Sequence, residues 1–362
     1  MKPADGRFGS GPSKVPAEAL QRLVDDAPMG TSHRQPPVRD LVGRIRRGMS
    51  DLLLLPEGYE VVLGNGGATA FWDVAALCLI EQRSQHVVCG EFSSKFAAVT
   101  AAAPFLDKPQ VRRAEPGSGV LPSAVDGVDC YAWPQNETST GVALAVGPVE
   151  GMEENALTLV DATSSAGAII TDLNAVDVYY FAPQKVFAAD AGLWIAVLSP
   201  RALDRMSRIK ASDRWIPPSL DLSIAVDNSR KNQTYNTPAI ASLWLLAHQT
   251  EWLLGHGGVD WAARRTELSA GRLYRWAERE DYAAPFVADP ALRSPVVGTI
   301  DFVPEVDAGR IAEVLRANGI VDTEPYRGLN RNQLRIGMYP AVDPADVEAL
   351  THCVEFIVRS LA

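Results

Sequence analysis

A glycine cluster in the first quarter of the sequence has the composition and position of a phosphate-binding turn. The cluster, Gly64-Asn65-Gly66-Gly67-Ala68-Thr69, follows an apolar run and opens a stretch with helical character. Backbone amides at the start of a helix carry partial positive charge and bind phosphate, and glycines let the chain approach the group closely. Thr69 stands where a dinucleotide-binding fingerprint needs glycine. The cluster therefore favours a single phosphate, with a plain tight turn as the alternative.

Asp161 and Lys185 each follow a short apolar run and lie 24 positions apart. In an open parallel sheet, ligands bind beyond the carboxyl ends of the strands, so one strand–helix–strand unit brings both side chains to one crevice. A lysine amine forms Schiff bases, and a carboxylate keeps a pyridine nitrogen protonated, which is the pair that pyridoxal phosphate needs. A helix-capping aspartate and a solvated lysine are the alternatives for either residue alone. The two together, after a phosphate-type turn, favour the cofactor.

The elements around these residues indicate an α/β fold. Short apolar runs bounded by Gly, Pro or Asp alternate with amphipathic stretches through the first 250 residues. This alternation is typical of buried strands in a mainly parallel sheet, connected by helices. Strands are predicted at 61–63, 86–89, 128–133, 158–160, 178–181 and 193–198, and helices at 68–80 and around 95–103.

The composition changes over residues 201–237, and proline, asparagine, serine and charged residues cluster from Trp215 to Pro238. The pattern predicts an irregular stretch here, either a loose linker or a long functional loop. Helices are then predicted at 238–254, 259–279, 308–318 and 344–360, and strands at 296–302 and 334–339. We therefore expect a large domain at 14–254 and a small α/β domain at 255–362, with residues 1–13 packing near the small domain and the active site.

Length, charge and cysteine content exclude several classes of protein. The chain has 362 residues, 47% of them hydrophobic, and a formal net charge of −10, which disfavours a protein that mainly binds nucleic acid. The four cysteines are scattered, so neither a disulfide framework nor a structural zinc site is predicted, and no metal is expected. The N-terminus has no apolar segment of a secretory signal, and no apolar run is long enough to span a bilayer. We expect a cytoplasmic protein.

Seven short motifs, taken in order, resemble phosphoserine aminotransferases, which are similar to class V aminotransferases and have the type I fold of pyridoxal-phosphate enzymes. The motifs are Ser10-Gly11-Pro12, Ser32-His33-Arg34, Gly66-Gly67, Asn136-Glu137-Thr138, Asp161-Ala-Thr-Ser-Ser, Gln184-Lys185 and Asn236-Thr237-Pro238. The resemblance covers nearly the whole chain. It implies a large, mainly parallel seven-stranded sheet domain, a smaller C-terminal domain and a homodimer. The implied reaction is reversible amino transfer from L-glutamate to 3-phosphohydroxypyruvate. The resemblance implies a role in serine biosynthesis and, secondarily, in pyridoxine biosynthesis.

The resemblance also implies roles for individual residues. Lys185 forms the Schiff base and moves the substrate proton, and Asp161 pairs with the pyridine nitrogen. Asn236 and Thr237 reach the cofactor phosphate from the partner subunit, which gives the 215–238 stretch a function. The implied cofactor-binding residues are Ala68, Thr69, Phe92, Thr138, Asp161, Gln184, Lys185, Asn236 and Thr237. The implied substrate-binding residues are Ser10, His33, Arg34, Arg331 and Arg335.

The sequence departs from the family pattern at three places. Phe92 stands where many members have tryptophan, and Ala68-Thr69 stands where glycine and arginine are common. Arg327 and Arg331 replace a histidine–arginine pair, which leaves the clamp for the substrate phosphate open. The alternatives are an alanine–glyoxylate-type aminotransferase, a cysteine desulfurase and a non-catalytic protein of the same fold. A loop histidine and surface ion pairs are the simpler roles for His33, Arg34 and Arg335.

Overall fold

The computed structural model describes residues 2–361, and these form ten α-helices and twelve β-strands. The strands are β1 (Glu60–Asn65), β2 (Ser84–Val88), β3 (Gln110–Arg113), β4 (Cys130–Pro134), β5 (Asn136–Glu137), β6 (Val142–Ala143), β7 (Leu157–Asp161), β8 (Val178–Phe181), β9 (Leu193–Leu198), β10 (Ala283–Pro285), β11 (Val297–Phe302) and β12 (Gln333–Gly337). The helices are α1 (Ala17–Asp26), α2 (Pro36–Leu52), α3 (Ala68–Cys78), α4 (Glu91–Ala102), α5 (Pro200–Lys210), α6 (Leu222–Arg230), α7 (Ile240–Gly255), α8 (Gly258–Arg279), α9 (Ala308–Ala317) and α10 (Pro344–Leu361). Within residues 2–361 no helix is both long and apolar enough to cross a membrane.

The main sheet has seven strands in the order β1-β9-β8-β7-β4-β2-β3. Four neighbouring pairs are parallel, and β9 runs antiparallel to both β1 and β8. Strands β2, β4, β8 and β9 are buried along their whole length, as expected where helices cover both faces of a parallel sheet. The predicted large, mainly parallel seven-stranded sheet is confirmed.

The sheet brings the two charged residues of the predicted site to one edge. Asp161 is the last residue of β7, and it pairs in register with Tyr180 of the adjacent parallel strand β8. Lys185 is the fourth residue after β8, so it lies beyond the carboxyl end of the neighbouring strand. The parallel register therefore explains why residues 24 apart in sequence reach the same place.

A second, three-stranded sheet in the order β10-β11-β12 packs against α8 and α9, and α10 contacts both of these helices. The N-terminal segment joins this sheet: the Gly337 N–H donates to Phe8 O at 2.7 Å, and Phe8 is fully buried. A few residues later, the Ser13 N–H donates to Gln184 O at 2.8 Å. The first residues thus run from the small sheet to the neighbourhood of Lys185. The boundary at 254/255 stays a prediction.

The stretch from 215 to 238 is not irregular throughout, so that prediction was wrong. It contains α6 (Leu222–Arg230), whose Asp221 accepts a hydrogen bond from the Ser223 N–H and caps the helix. The helix buries Leu222, Ala225, Val226 and Ser229, which follow the spacing of one helical face. Prolines and polar residues on either side of this short helix obscured its periodicity. Strand β3 at the sheet edge was also missed, because its burial only alternates between half-buried and exposed.

Candidate active site

The Lys185 side chain is 7% exposed and is held by a chain of hydroxyl groups. Its Nζ donates to Thr138 Oγ1 at 2.8 Å, and that hydroxyl donates to Ser164 Oγ at 2.9 Å. Gly11 packs on the other side of the lysine, where a Cβ atom would lie 2.6 Å from Lys185 Cε. Only glycine fits at that position, so the Ser-Gly-Pro motif and the Asn-Glu-Thr motif together fix the path of the lysine.

Burial lowers the pKa of Lys185 from 10.5 to about 8. The negative charge of Asp161 opposes this shift, and the positive charge of Arg335 adds to it. A lysine with a pKa near 8 has a substantial fraction of neutral amine at neutral pH, and a neutral amine is both a nucleophile and a base. The environment of Lys185 therefore suits covalent and proton-transfer chemistry.

Asp161 lies in the same cavity, and its carboxylate is anchored by three donors. Oδ1 accepts the Thr163 N–H at 3.0 Å. Oδ2 accepts the Tyr180 hydroxyl at 3.0 Å and the Trp72 indole N–H at 3.4 Å. The carboxylate is thus fixed in orientation at the strand end.

The cavity between these residues has a volume of about 280 Å³. One end is formed by Gly66 and Gly67, both with positive φ, and by the start of α3. The helical hydrogen bonds to Gly67 O come from Ala70 and Phe71, and the first amides of a helix have no acceptor within it. The amides of Ala68 and Thr69 at this helix start are therefore placed as the predicted phosphate-binding turn requires.

Seven of the predicted cofactor residues line this cavity. They are Ala68, Thr69, Phe92, Thr138, Asp161, Gln184 and Lys185. Phe92 forms a wall, with its ring centroid 5.2 Å from Lys185 Nζ.

Arg335 adjoins the cavity from the small sheet. Its Nη1 donates to the carbonyl of Thr138 at 3.3 Å, and its guanidinium carbon lies 5.3 Å from the Tyr326 ring centroid. Its buried Nε lacks a hydrogen-bond partner within the described chain, and burial lowers its pKa. A guanidinium with unused donors beside a reactive lysine is suited to binding a carboxylate.

Four other predicted residues form a separate group, which we call the loop cluster: His33, Arg34, Asn236 and Thr237. Thr237 Oγ1 lies 3.2 Å from His33 Nδ1. The carbonyls of Asn236 and Thr237 accept from Asn65 Nδ2 at 3.4 and 3.3 Å. Arg34 donates to the segment just before Asn236, at the side chains of Asn228 and Gln233 and at the carbonyls of Thr234 and Tyr235. None of the four residues lines the cavity.

Comparison with known proteins identifies the family. The sequence model of the family described as aminotransferase class-V matches residues 125–350. A protein from Mycobacterium leprae named putative phosphoserine aminotransferase is 60% identical over 363 residues, which cover 100% of this chain and 96% of that protein. The phosphoserine aminotransferase of Rhodococcus opacus is 59% identical over 363 residues, covering 100% of this chain and 97% of that protein.

The chain belongs to the phosphoserine aminotransferase family, within the class V aminotransferases. It is a pyridoxal-phosphate-dependent transaminase. The fold agrees: a crystal structure of phosphoserine aminotransferase from Cytophaga hutchinsonii matches with a TM-score of 0.89 and 24% identity, covering 97% of this chain and 99% of that one. The predicted family, fold class and cofactor are confirmed.

The cavity of this family member fits pyridoxal phosphate. Three buried polar atoms of lining residues have no hydrogen-bond partner within the described chain: Asn136 Oδ1, Thr163 Oγ1 and Gln184 Oε1. Unsatisfied buried polar atoms are costly unless a ligand uses them. The cavity also offers an amine at Lys185, a carboxylate at Asp161 and a helix start for a phosphate, which match the functional groups of the cofactor.

Two predicted substrate residues lie elsewhere in this aminotransferase. The guanidinium of Arg331 pairs with Asp301, with Nε 3.1 Å from Oδ2, and its carbon lies 4.4 Å from the Phe286 ring centroid. The pairing neutralises Arg331 outside the cavity, so the structure does not support its predicted role. Ser10 is 3% exposed and does not line the cavity, and its carbonyl accepts from the Tyr339 hydroxyl at 2.7 Å. Its side-chain Oγ is buried and has no hydrogen-bond partner within the described chain.

Sequence reasoning missed Trp72 and Tyr180 at this active site. Trp72 lies one helical turn after Ala68 in α3, on the face that meets the cavity. Tyr180 belongs to the Val178–Phe181 run, where it looked like an ordinary core residue. The signal for both was a hydrogen-bonding group within an apolar element beside the Asp161 strand.

Proposed function

We propose that this chain catalyses reversible amino transfer from L-glutamate to 3-phosphohydroxypyruvate, giving O-phospho-L-serine and 2-oxoglutarate. The observation that carries the proposal is the buried Lys185 amine beside Asp161 in a cavity with a phosphate-binding helix start. The substrate comes from the phosphoserine aminotransferases that are about 60% identical over the full chain. The reaction would serve serine biosynthesis, and we extend the proposal to pyridoxine biosynthesis and to a cytoplasmic location.

The cofactor, when bound, supplies an aldehyde that condenses with amines and a pyridine ring that withdraws electrons when protonated. When the cofactor is bound, Lys185 would hold its aldehyde carbon and Asp161 its pyridine nitrogen. Ala68, Thr69 and Gln184 would bind its phosphate, and Phe92, which lines the cavity, would contact its ring. The hydrogen bond from Lys185 Nζ to Thr138 Oγ1 holds the amine on one side of the cavity.

Lys185 then carries the proton. Since burial lowers its pKa to about 8, the displaced amine is neutral often enough at pH 7–8 to accept the proton from the substrate Cα and return it during the second half of the reaction. Thr138 Oγ1, 2.8 Å away, accepts one N–H of the amine and limits its rotation. The lysine thus serves as both cofactor anchor and proton carrier.

Substrate binding divides between Arg335 and the loop cluster. We assign Arg335 to the substrate carboxylate, because its guanidinium adjoins Thr138 and has an unused Nε. We assign Asn236 and Thr237 to the cofactor phosphate of the partner subunit in a homodimer, and His33 and Arg34 to the neighbourhood of the substrate phosphate. The resemblance to the family implies this arrangement, and the position of these residues outside the cavity of their own chain is consistent with it.

The cysteine desulfurase alternative lacks its nucleophile at this cavity. Cys78, Cys89 and Cys130 are buried, and burial raises the pKa of each thiol, to about 12 for Cys78. A thiol with a raised pKa is a poor nucleophile at neutral pH. No cysteine occurs among the residues that line the cavity. An alanine–glyoxylate-type aminotransferase would differ from the proposed enzyme only in its substrate, so an assay with single amino acids distinguishes the two.

The half-reaction with single amino acids tests the proposal. Purified enzyme with bound cofactor is mixed with phosphoserine, serine or alanine, and the visible Schiff-base absorbance is followed. We expect phosphoserine and glutamate to bleach the band at micromolar to millimolar concentrations, with serine and alanine much less effective. A band that responds to alanine and not to phosphoserine would reassign the substrate and keep the transaminase chemistry.

A further inference from the structure

Asp161 has contacts that the proposed mechanism does not use. Its Oδ2 accepts hydrogen bonds from the Tyr180 hydroxyl at 3.0 Å and the Trp72 indole N–H at 3.4 Å. The same indole N–H also lies 3.0 Å from Tyr180 Oη. The other oxygen, Oδ1, accepts the Thr163 N–H at 3.0 Å. Two donors therefore converge on one carboxylate oxygen and one on the other.

The direction of these hydrogen bonds follows from the groups themselves. An indole N–H can only donate, so the Tyr180 hydroxyl receives a hydrogen bond from Trp72 and donates its own proton to Asp161. Burial raises the pKa of Tyr180 well above its ordinary value, and the charge of Asp161 adds to the shift. The phenol therefore keeps its proton. Trp72, Tyr180 and Asp161 form a one-way chain of donors that ends on the carboxylate.

The surroundings of Tyr180 and Trp72 are aromatic and buried, whereas Asp161 is partly exposed at the cavity. Tyr180 is fully buried, with its ring centroid 4.6 Å from Phe71 and 6.2 Å from Phe96. Trp72 stacks on Phe96 at 6.0 Å and is 3% exposed. Hydrogen bonds to a charged group are stronger than those between neutral groups. Tyr180 and Trp72 are thus well placed to hold the Asp161 carboxylate in one orientation.

We propose that Tyr180, assisted by Trp72, is a positioning residue that holds the Asp161 carboxylate by Oδ2 and leaves Oδ1 to receive the pyridine nitrogen. The inference rests on the proposed role of Asp161. Two donors on Oδ2 fix the carboxylate and disperse its negative charge. The proton shared with the pyridine ring then resides on the ring nitrogen, where it makes the ring an electron acceptor. A carboxylate without these donors would draw the proton toward itself.

The test uses the holoenzyme reconstituted with pyridoxal phosphate labelled with ¹⁵N in the ring. The variant is Tyr180→Phe, which removes one oxygen atom and keeps the ring. The matched control is Tyr179→Phe on the same strand, because Tyr179 is also buried and donates to Gln135 at 2.8 Å instead of to Asp161. Gln135 keeps a second donor, Ser165 Oγ at 2.7 Å, in that control.

We expect the ring ¹⁵N resonance of Tyr180→Phe to move toward the value of unprotonated pyridine, while Tyr179→Phe stays at the wild-type value. The same variant should lose roughly tenfold in kcat, the size expected for one hydrogen bond to a charged group, with KM for glutamate within about twofold. Trp72→Phe removes the longer bond and should give a smaller shift of the same sign. It provides a second variant if Tyr180→Phe does not fold.

The outcomes separate this inference from the proposed function. If Asp161→Asn moves the ¹⁵N resonance and neither Tyr180→Phe nor Trp72→Phe does, the inference is wrong and the role of Asp161 stands. If none of the three changes moves it, the proposed role of Asp161 is wrong as well. A shift in Tyr179→Phe equal to that in Tyr180→Phe would also overturn the inference, because it would show a general effect of strand packing.

Discussion

The cavity around Lys185 and the loop cluster differ in how their polar groups are satisfied. In the cavity, Asn136 Oδ1, Thr163 Oγ1 and Gln184 Oε1 have no partner within the described chain. In the loop cluster, Arg34 donates to four acceptors of the same chain, whereas His33 Nε2 is buried without a partner in the described chain. The cavity is therefore suited to receiving a ligand, and the hydrogen bonds of Arg34 hold the loop in place.

This difference explains why one region is recognisable as a site within a single chain and the other is not. The cavity unites residues of β7, of α3 and of the segment that follows β8, through the geometry of the sheet. The loop cluster holds Asn236 and Thr237 in a set position, and a fixed loop loses little conformational entropy when it binds. Such a loop is suited to presenting side chains to a second copy of the chain.

The largest expected effect is on the stability of the apoenzyme, and it arises from Lys185 in the cavity, not from the loop cluster. The folded-state pKa of Lys185, about 8, is below its ordinary 10.5. Below pH 8 the folded protein must hold a buried ammonium, which lowers the free energy of unfolding by about 2–3 kcal/mol. Between pH 8 and 10.5 the unfolded chain binds one proton more than the folded chain. The free energy of unfolding therefore rises with pH through this window, and the cost disappears. Lys185→Met apoenzyme should therefore be the more stable at pH 7.

Denaturant unfolding of wild-type and Lys185→Met apoenzyme at pH 7 and pH 10 checks this. The difference in free energy of unfolding should shrink at pH 10. Lys95→Met is the control, since Lys95 is exposed on α4 and should give no comparable gain. A difference that is the same at both pH values would mean that Lys185 titrates normally.

A comparison of Arg335 with Arg331 tests which arginine binds the substrate carboxylate. Arg335→Met should raise KM for glutamate roughly tenfold or more, the cost of losing a charge-assisted hydrogen bond to a carboxylate. Arg331→Met breaks an exposed pair with Asp301 and should change KM by less than about twofold. Steady-state kinetics of the two variants measure this contrast. An equal increase in KM for both variants would indicate that Arg331 also binds the substrate.

Subunit complementation tests the loop cluster, with the smallest expected signal. Lys185→Ala is mixed with a double variant, Asn236→Ala and Thr237→Val, and the subunits are exchanged. Each mixed dimer then has one site with both sets of residues intact, so activity should recover to about a quarter of wild type. The assay uses a cofactor concentration that saturates the wild type but not the double variant. No recovery after confirmed exchange would contradict donation across the interface.

Most of the cavity could be predicted from sequence because its parts follow strand ends. Asp161 and Lys185 could be placed together because parallel neighbouring strands end at one edge of the sheet, and the glycine cluster marked a helix start. The helix expected between their strands is absent: the connection has only the short 3-10 helix Leu173–Ala175. Tyr180 could be suspected only as a hydroxyl within an apolar strand, because no sequence pattern shows what it faces. Arg331 does not line the cavity, and a sequence of closely spaced arginines does not show which of them meets Asp301. The short helix α6 was hidden by the polar residues on both sides of it.

The measurement that tests the central claim most directly is the absorption spectrum of Lys185→Ala incubated with pyridoxal phosphate and then separated from free cofactor. The wild type should retain a visible Schiff-base band that glutamate bleaches. Lys185→Ala should fold with wild-type circular dichroism, lack that band and lose amino transfer by roughly a hundredfold or more. A Lys185→Ala protein that kept both the band and full turnover would contradict the account.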